Sequence, residues 1–230
     1  MNQPAARTGA DATTGVLDRL VTRFASAWRQ WRCRWYRWWL LRRYGQRIEI
    51  HPSAKILGRV SMHKACRLSI GASVQITDTL EVWGAATVAL APNVNLIMGV
   101  RVYGKGRVTV EEGAVLNATK INCMQSVSIG RMSLVGAGLV TDTDFHNLAP
   151  NIRRSPGLPG ITSPVQIGAN VWIGYGCLVL KGVSIGDDSV VGAGSVVRSS
   201  VPAGVVVSGN PATLVRTFDP SERSGMTCAP

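Results

Sequence analysis

One histidine stands in a stretch of sequence unlike its surroundings. Residues 141–160, TDTDFHNLAPNIRRSPGLPG, carry three prolines, two glycines and charges of both signs, and His146 lies among them. A neutral imidazole near physiological pH can take a proton from a hydroxyl as that oxygen attacks a carbonyl. Asp142 and Asp144 are near enough in sequence to orient the ring or to stabilise its protonated form, and they suit turn formation equally well. The chain's other two histidines, His51 and His63, are too irregularly spaced relative to His146 to converge on a zinc ion, so the chemistry expected needs no metal.

What must position this loop is a six-residue repeat. From Ile161 to Ser208 the chain can be written in sixes: ITSPVQ, IGANVW, IGYGCL, VLKGVS, IGDDSV, VGAGSV, VRSSVP and AGVVVS. An aliphatic residue opens nearly every block (Ile167, Ile173, Val179, Ile185, Val191, Val197) and a small or β-branched residue holds the fifth place. Six residues are too few for a unit containing a helix. They fit a short strand and a corner, so three blocks make an 18-residue coil of a triangular prism with its aliphatics inside. The same pattern runs upstream in a less regular phase, through Ile70-Gly71, Ile76, Val82, Val88, Leu96 and Val102 to Ile129-Gly130 and Val135-Gly136. The prism is expected over residues 48–209, interrupted by the loop 141–160, with residues 210–230 as a C-terminal tail.

Residues 1–15 lack any period and read as a disordered tail, and residues 16–47 read as an amphipathic helix with Gly45 as its stop. Leu17, Leu20, Val21, Phe24, Trp28, Trp31, Trp35, Trp38 and Trp39 fall on one arc, with Arg19, Arg23, Arg29 and Arg37 outside it. Residues 1–47 hold ten arginines against Asp11 and Asp18, a charge of +8 out of the chain's +12. Basic charge confined to one tryptophan-rich segment points to an anionic membrane surface, met through residues 16–44, and away from nucleic acid. The alternative is a helix packed on the prism or on a partner protein. The five cysteines are odd in number and scattered, which favours a reducing compartment over a disulfide framework. No run suits a cleaved signal or a membrane-spanning helix, so the expected location is cytoplasmic, peripheral on the inner face of a bacterial plasma membrane.

From Ile129 to Arg216 the residues IGRMSLVGAG, TDTDFH, PVQIGANVWIGYGCLVLKGVSIGDDSVVGAGSVV, VP and GNPA follow one another in order. This series resembles the hexapeptide-repeat acyltransferases, especially the sugar and polysaccharide O-acetyltransferases. The resemblance implies an all-β fold, a left-handed parallel β-helix, here with the amphipathic α-helix at its N-terminus. It implies acetyl-CoA as donor, a saccharide or glycolipid acceptor in cell-surface polysaccharide biosynthesis, and a homotrimer with active sites between subunits. His146 takes the place of the family's general base, with Asp144 beside it. Trp172 takes the place of the aromatic beside the donor. Gly174, Gly192, Ala193 and Gly194 match turns that approach the pantetheine, and Arg198, Ser199 and Arg216 fall near the positions that meet the nucleotide phosphate. The family's upstream asparagine aligns to Leu116, with Asn117 adjacent, and the acid that often follows it has no counterpart around Met124 and Gln125. N-acylation of an aminosugar and a non-catalytic β-helix scaffold remain as alternatives.

Overall fold

The structure, a computed structural model, describes residues 10–155 and 161–223. Helix α1 (Ala10–Tyr44) leads into a three-sided parallel β-solenoid. The first face stacks seven strands, from Ile48–Ile50 to Ser184–Ile185. The second stacks nine, from Lys55–Ile56 to Val205–Ser208 plus the antiparallel strand Thr213–Thr217. The third stacks seven, from Val60–Met62 to Val196–Val197.

Side chains alternate in and out along each strand, so one residue type repeats at one height of every coil. On the first face Ile70, Leu90, Val110, Ile129, Ile167 and Ile185 pair in sequence and all are buried. Such ladders, one for each inward position, form a single core running the length of the solenoid.

The coils are not of one length, which explains the irregular upstream phase. Ile70 pairs with Leu90, twenty residues on. Val110 pairs with Ile129, nineteen on, and Ile167 with Ile185, eighteen on. The extra residues lengthen the third face, where Leu80–Gly84, Val100–Gly104 and Thr119–Cys123 are five-residue strands. The last coil is shorter again: Val191 pairs with Val207, and Ala203 is exposed rather than inside. Pro202, without an N–H to donate, sits where the shortened side turns.

Three sequence boundaries move. Helix α1 starts at Ala10 rather than residue 16: helical hydrogen bonding propagates cheaply once nucleated, and the weakest helix former there, Gly15, costs only about 1 kcal/mol. Residues 1–9 lie outside the described residues. The hexads resume at Val165 rather than Ile161, because residues 161–163 are used by the loop. The tail holds the antiparallel strand, which satisfies the otherwise open edge of the last coil, and a short helix α2 (Pro220–Arg223), tied to the solenoid by the Arg223–Asp188 ion pair.

Helix α1 closes the other open end. The first coil has no neighbour below it, so its edge groups need partners from elsewhere. The backbone N–H of Val60 donates to Tyr36 Oη at 3.0 Å and that of Met62 to Tyr44 Oη at 3.2 Å. Arg37 donates to the Pro52 carbonyl, Arg32 to that of Leu57 and Cys33 Sγ to that of Ile56. Leu40, fully buried, plugs the core, a burial that stabilises by about 1.5–3 kcal/mol. Neither tyrosine belongs to the tryptophan arc read from sequence.

Candidate active site

The loop leaves the third face after Thr141 and returns to the first face at Val165, at the corner between them. Its stem closes on itself. Thr143 and Thr162 form an antiparallel bridge, the Asp144 N–H donates to the Ile161 carbonyl, and the Ser163 N–H donates to that of Asp142. The stem is riveted to the coil before it by Asp142, whose fully buried carboxylate accepts the N–H groups of Met124 and Gln125, each at 2.7 Å. At Met124 and Gln125 the chain offers no acid of its own. In space Asp142 puts a carboxylate there.

Past the stem, Asp144, Phe145 and His146 turn outward and are exposed. Phe145 has φ +62°, a left-handed conformation costly for a bulky residue. Its ring is tilted against Tyr103 on the third face with centroids 6.4 Å apart, and its N–H donates to Thr143 Oγ1. These contacts hold the turn that presents His146, whose own N–H donates to the Asp144 carbonyl at 2.7 Å. The carboxylate of Asp144 is engaged by Lys181, Nζ to Oδ2 2.7 Å. Nothing in the sequence links Lys181 to the loop, because the contact exists only once the next coil has folded over the stem. Buried Asn147 donates to the carbonyls of Ile152 and Ser155 and ties down the far side.

The remaining expected residues lie elsewhere. Trp172 stands outward on the second face, 56% exposed, between Leu134 and Val190. Gly174, Gly192, Ala193 and Gly194 form the corner between the second and third faces. A Cβ on Gly174 would come 2.7 Å from the Ala193 nitrogen, so the stack requires glycine there, whereas Gly194 has open space around it and is favoured by its φ of +72°. The N–H groups of Gly174, Gly192 and Gly194 donate to the carbonyls of Val191, Val207 and Tyr175. Asn117 is on the same corner, one register step beyond buried Leu116, and its Oδ1 is buried without a hydrogen-bond partner. Arg198 and Ser199 are exposed where the third face turns to the first, on the His146 side. Arg216 is out on the terminal antiparallel strand, paired with Glu222 and over the Phe218 ring. That pair lifts the guanidinium further above its ordinary range and pulls the Glu222 carboxyl below its own.

One chain therefore splits the expected site. His146, Asp144, Arg198 and Ser199 lie at one edge of the third face, and Trp172, Asn117 and the glycine corner at or beyond the other. The third face, with Tyr103, Lys120 and Leu178 outward, separates them.

Residues 164–199 match the family model for the bacterial transferase hexapeptide, six repeats. That stretch of the chain carries the hexapeptide repeat that the family model describes. It is 35% identical over 96 residues to the galactoside O-acetyltransferase of Lactococcus lactis subsp. lactis strain IL1403, covering 42% of this chain and 45% of the relative. The chain spans about half the length of the curated relatives it matches. Among solved structures, the polysialic acid O-acetyltransferase OatWY superposes with a TM-score of 0.56 at 20% identity, over 74% of this chain and 84% of that one. AntD, an N-acyltransferase from Bacillus cereus, superposes with 0.51 at 18% identity, over 80% and 89%. These structures share the hexapeptide-repeat protein's fold, the long solenoid with its parallel faces.

Proposed function

We propose that this hexapeptide-repeat protein moves an acetyl group from acetyl-CoA to a hydroxyl of a saccharide or lipid-linked saccharide, with His146 as general base. The observation that carries this reading is a single outward imidazole on a loop locked to the solenoid by a buried carboxylate, in a family with O-acetyltransferase relatives. In the step proposed, His146 takes the acceptor hydroxyl's proton as the oxygen attacks the thioester carbonyl. The tetrahedral intermediate collapses with loss of the C–S bond, and the imidazolium returns the proton to the departing thiolate. No acyl-enzyme forms, consistent with Cys177 being buried in the core.

The donor lies along the corner of Gly174, Gly192, Ala193 and Gly194 in this reading, with Trp172 beside its acyl end. The N–H groups of Gly174, Gly192 and Gly194 are spent on the stack, so at those glycines the pantetheine's amide N–H groups donate to backbone carbonyls. Because His146 and Trp172 flank opposite edges of one face, a complete site takes the histidine from one subunit and the donor corner from the next. That arrangement supports a homotrimer with sites between subunits, and a place for the enzyme in cell-surface polysaccharide biosynthesis follows from the acceptor class.

The test is thiol release from acetyl-CoA with a panel of free sugars and glycolipids. His146→Ala should reduce turnover by about 10²–10⁴-fold with little change in donor KM. Undiminished turnover in that variant would sink the mechanism. Because AntD, an N-acyltransferase, shares the fold, the panel includes aminosugars: transfer only to those would replace the hydroxyl with an amine as acceptor.

A further inference from the structure

Helix α1 has two faces with different occupations. Cys33, Tyr36, Arg37, Leu40 and Tyr44 meet the first coil. Trp28, Trp31, Trp35 and Trp38 are 64%, 57%, 51% and 51% exposed. At about 100° per residue the centres of these two arcs are roughly 180° apart, so the tryptophans point away from the solenoid's end. Docking on the prism therefore does not use the tryptophan face; it displays it.

The display is chemically specific. Trp28 and Trp31 stack with centroids 5.4 Å apart, and the Arg42 guanidinium lies 4.8 Å over Trp38. Arg32, Arg34 and Arg43 are exposed along the flanks of the same face. Beside it, between the helix and the second face, a cleft of about 530 Å³ is lined by Arg34, Arg37 and Lys55. An apolar strip of indole rings edged by guanidinium groups fits an environment that is apolar and anionic at one depth, as a bilayer interface is. Among the described residues no helix is long and apolar enough to cross a membrane.

We propose that this face lies flat in the interface of an anionic bilayer and that the solenoid stands on it, its axis along the membrane normal. The loop of His146 leaves from the fifth strand of the third face. At about 4.8 Å per coil its base stands roughly 20 Å from the first coil. The height matters only on the acyl-transfer reading above; the docking does not depend on it. On that reading the stack is a spacer, and the acceptor hydroxyl belongs to an outer sugar of a lipid-linked oligosaccharide rather than to a sugar at headgroup level.

The test is sedimentation of the full chain with phosphatidylcholine vesicles, with and without phosphatidylglycerol. Binding should strengthen by about tenfold or more with the anionic lipid and weaken as salt screens it. Combined Trp31→Ser, Trp35→Ser and Trp38→Ser should lower it by about tenfold or more while thiol release with a soluble acceptor is unchanged, because these side chains lie on the helix face turned away from the solenoid's end. Equal binding to neutral vesicles, binding to neither, or binding unaffected by the triple change would overturn the proposal and leave the face to an acidic protein. Orientation is read with brominated lipids: the emission of Trp172, isolated by difference against Trp172→Phe, should stay unquenched. Quenching of Trp172 would mean that the solenoid lies on its side. Failure of transfer in every assay would remove the acceptor reading and leave the docking result standing.

Discussion

Lys181 Nζ lies 2.7 Å from Asp144 Oδ2, so the carboxylate nearest His146 in sequence is held by the coil above the loop. Both side chains are about a third exposed, which keeps the pair's contribution below about 1 kcal/mol. Lys181→Ala and Asp144→Asn should each leave the melting temperature almost unchanged. Their effect on turnover should stay within about tenfold, far less than His146→Ala. A loss in Asp144→Asn as large as that of the histidine variant would make Asp144 the group that orients the ring.

Asp142 should matter far more for stability. Its carboxylate is fully buried and satisfies two backbone N–H groups, so Asp142→Ala strands both donors and costs about 2–5 kcal/mol in urea unfolding. Asp142→Asn, which keeps one acceptor oxygen, should fall between that variant and the parent. Hydrogen exchange at Met124 and Gln125 should rise in both.

Cys66, Cys123 and Cys177 are buried, and desolvation raises all three thiols, Cys123 to about 12 with the Asp142 charge adding to the burial. A raised folded pKa favours the protonated thiol. The stabilisation is fully present below pH 9, where unfolded cysteine also keeps its proton, and is lost as pH rises from about 9 toward 12. For Cys123 the unfolding free energy should drop by up to about 1.4 kcal/mol per pH unit across that window, with Cys66 and Cys177 adding to the drop in the same direction. Cys123→Val should flatten the profile; an unchanged alkaline slope would show that other groups cause it.

Tyr36 and Tyr44 cap the first coil through their hydroxyls. Tyr36→Phe with Tyr44→Phe should cost about 1–3 kcal/mol in all, and Leu40→Ala about 2–5 kcal/mol, measured as loss of protection in the strands at residues 48–62. If removing these groups leaves those strands as well protected as before, the helix is not the cap.

Subunit complementation addresses the split site. Neither His146→Ala nor Trp172→Ala should support efficient transfer alone, whereas co-expressed and mixed they should recover a fraction of parental activity. Recovery requires a site that takes its histidine and its tryptophan from different copies; without any recovery, each chain would have to hold a whole site.

Much of this was legible in the residues. The hexads wrote the core ladder directly, since an inward aliphatic every six residues has only one way to be buried, and the break after Thr141 located the outward loop. The coil lengths were harder to read: twenty- and nineteen-residue coils keep the inside-outside alternation but shift the phase, so the repeat blurs upstream of Ile129. The tryptophan arc was visible as an apolar face, yet it is the exposed one. A hydrophobic pattern reports what avoids water, not which of two neighbours supplies the alternative.

The sequence by itself determined the prism, its break and the presence there of one histidine, because these depend on local period and on residue type. The tertiary structure decided which groups hold the loop and the helix. Asp142 reaching Met124 and Gln125, Lys181 meeting Asp144, and Tyr36 capping Val60 all join residues from different coils or elements. Their physical cause is the same: backbone and charged groups that the repeat leaves unsatisfied take the partner that stacking brings within reach, and stacking sets that distance only after the chain has wound.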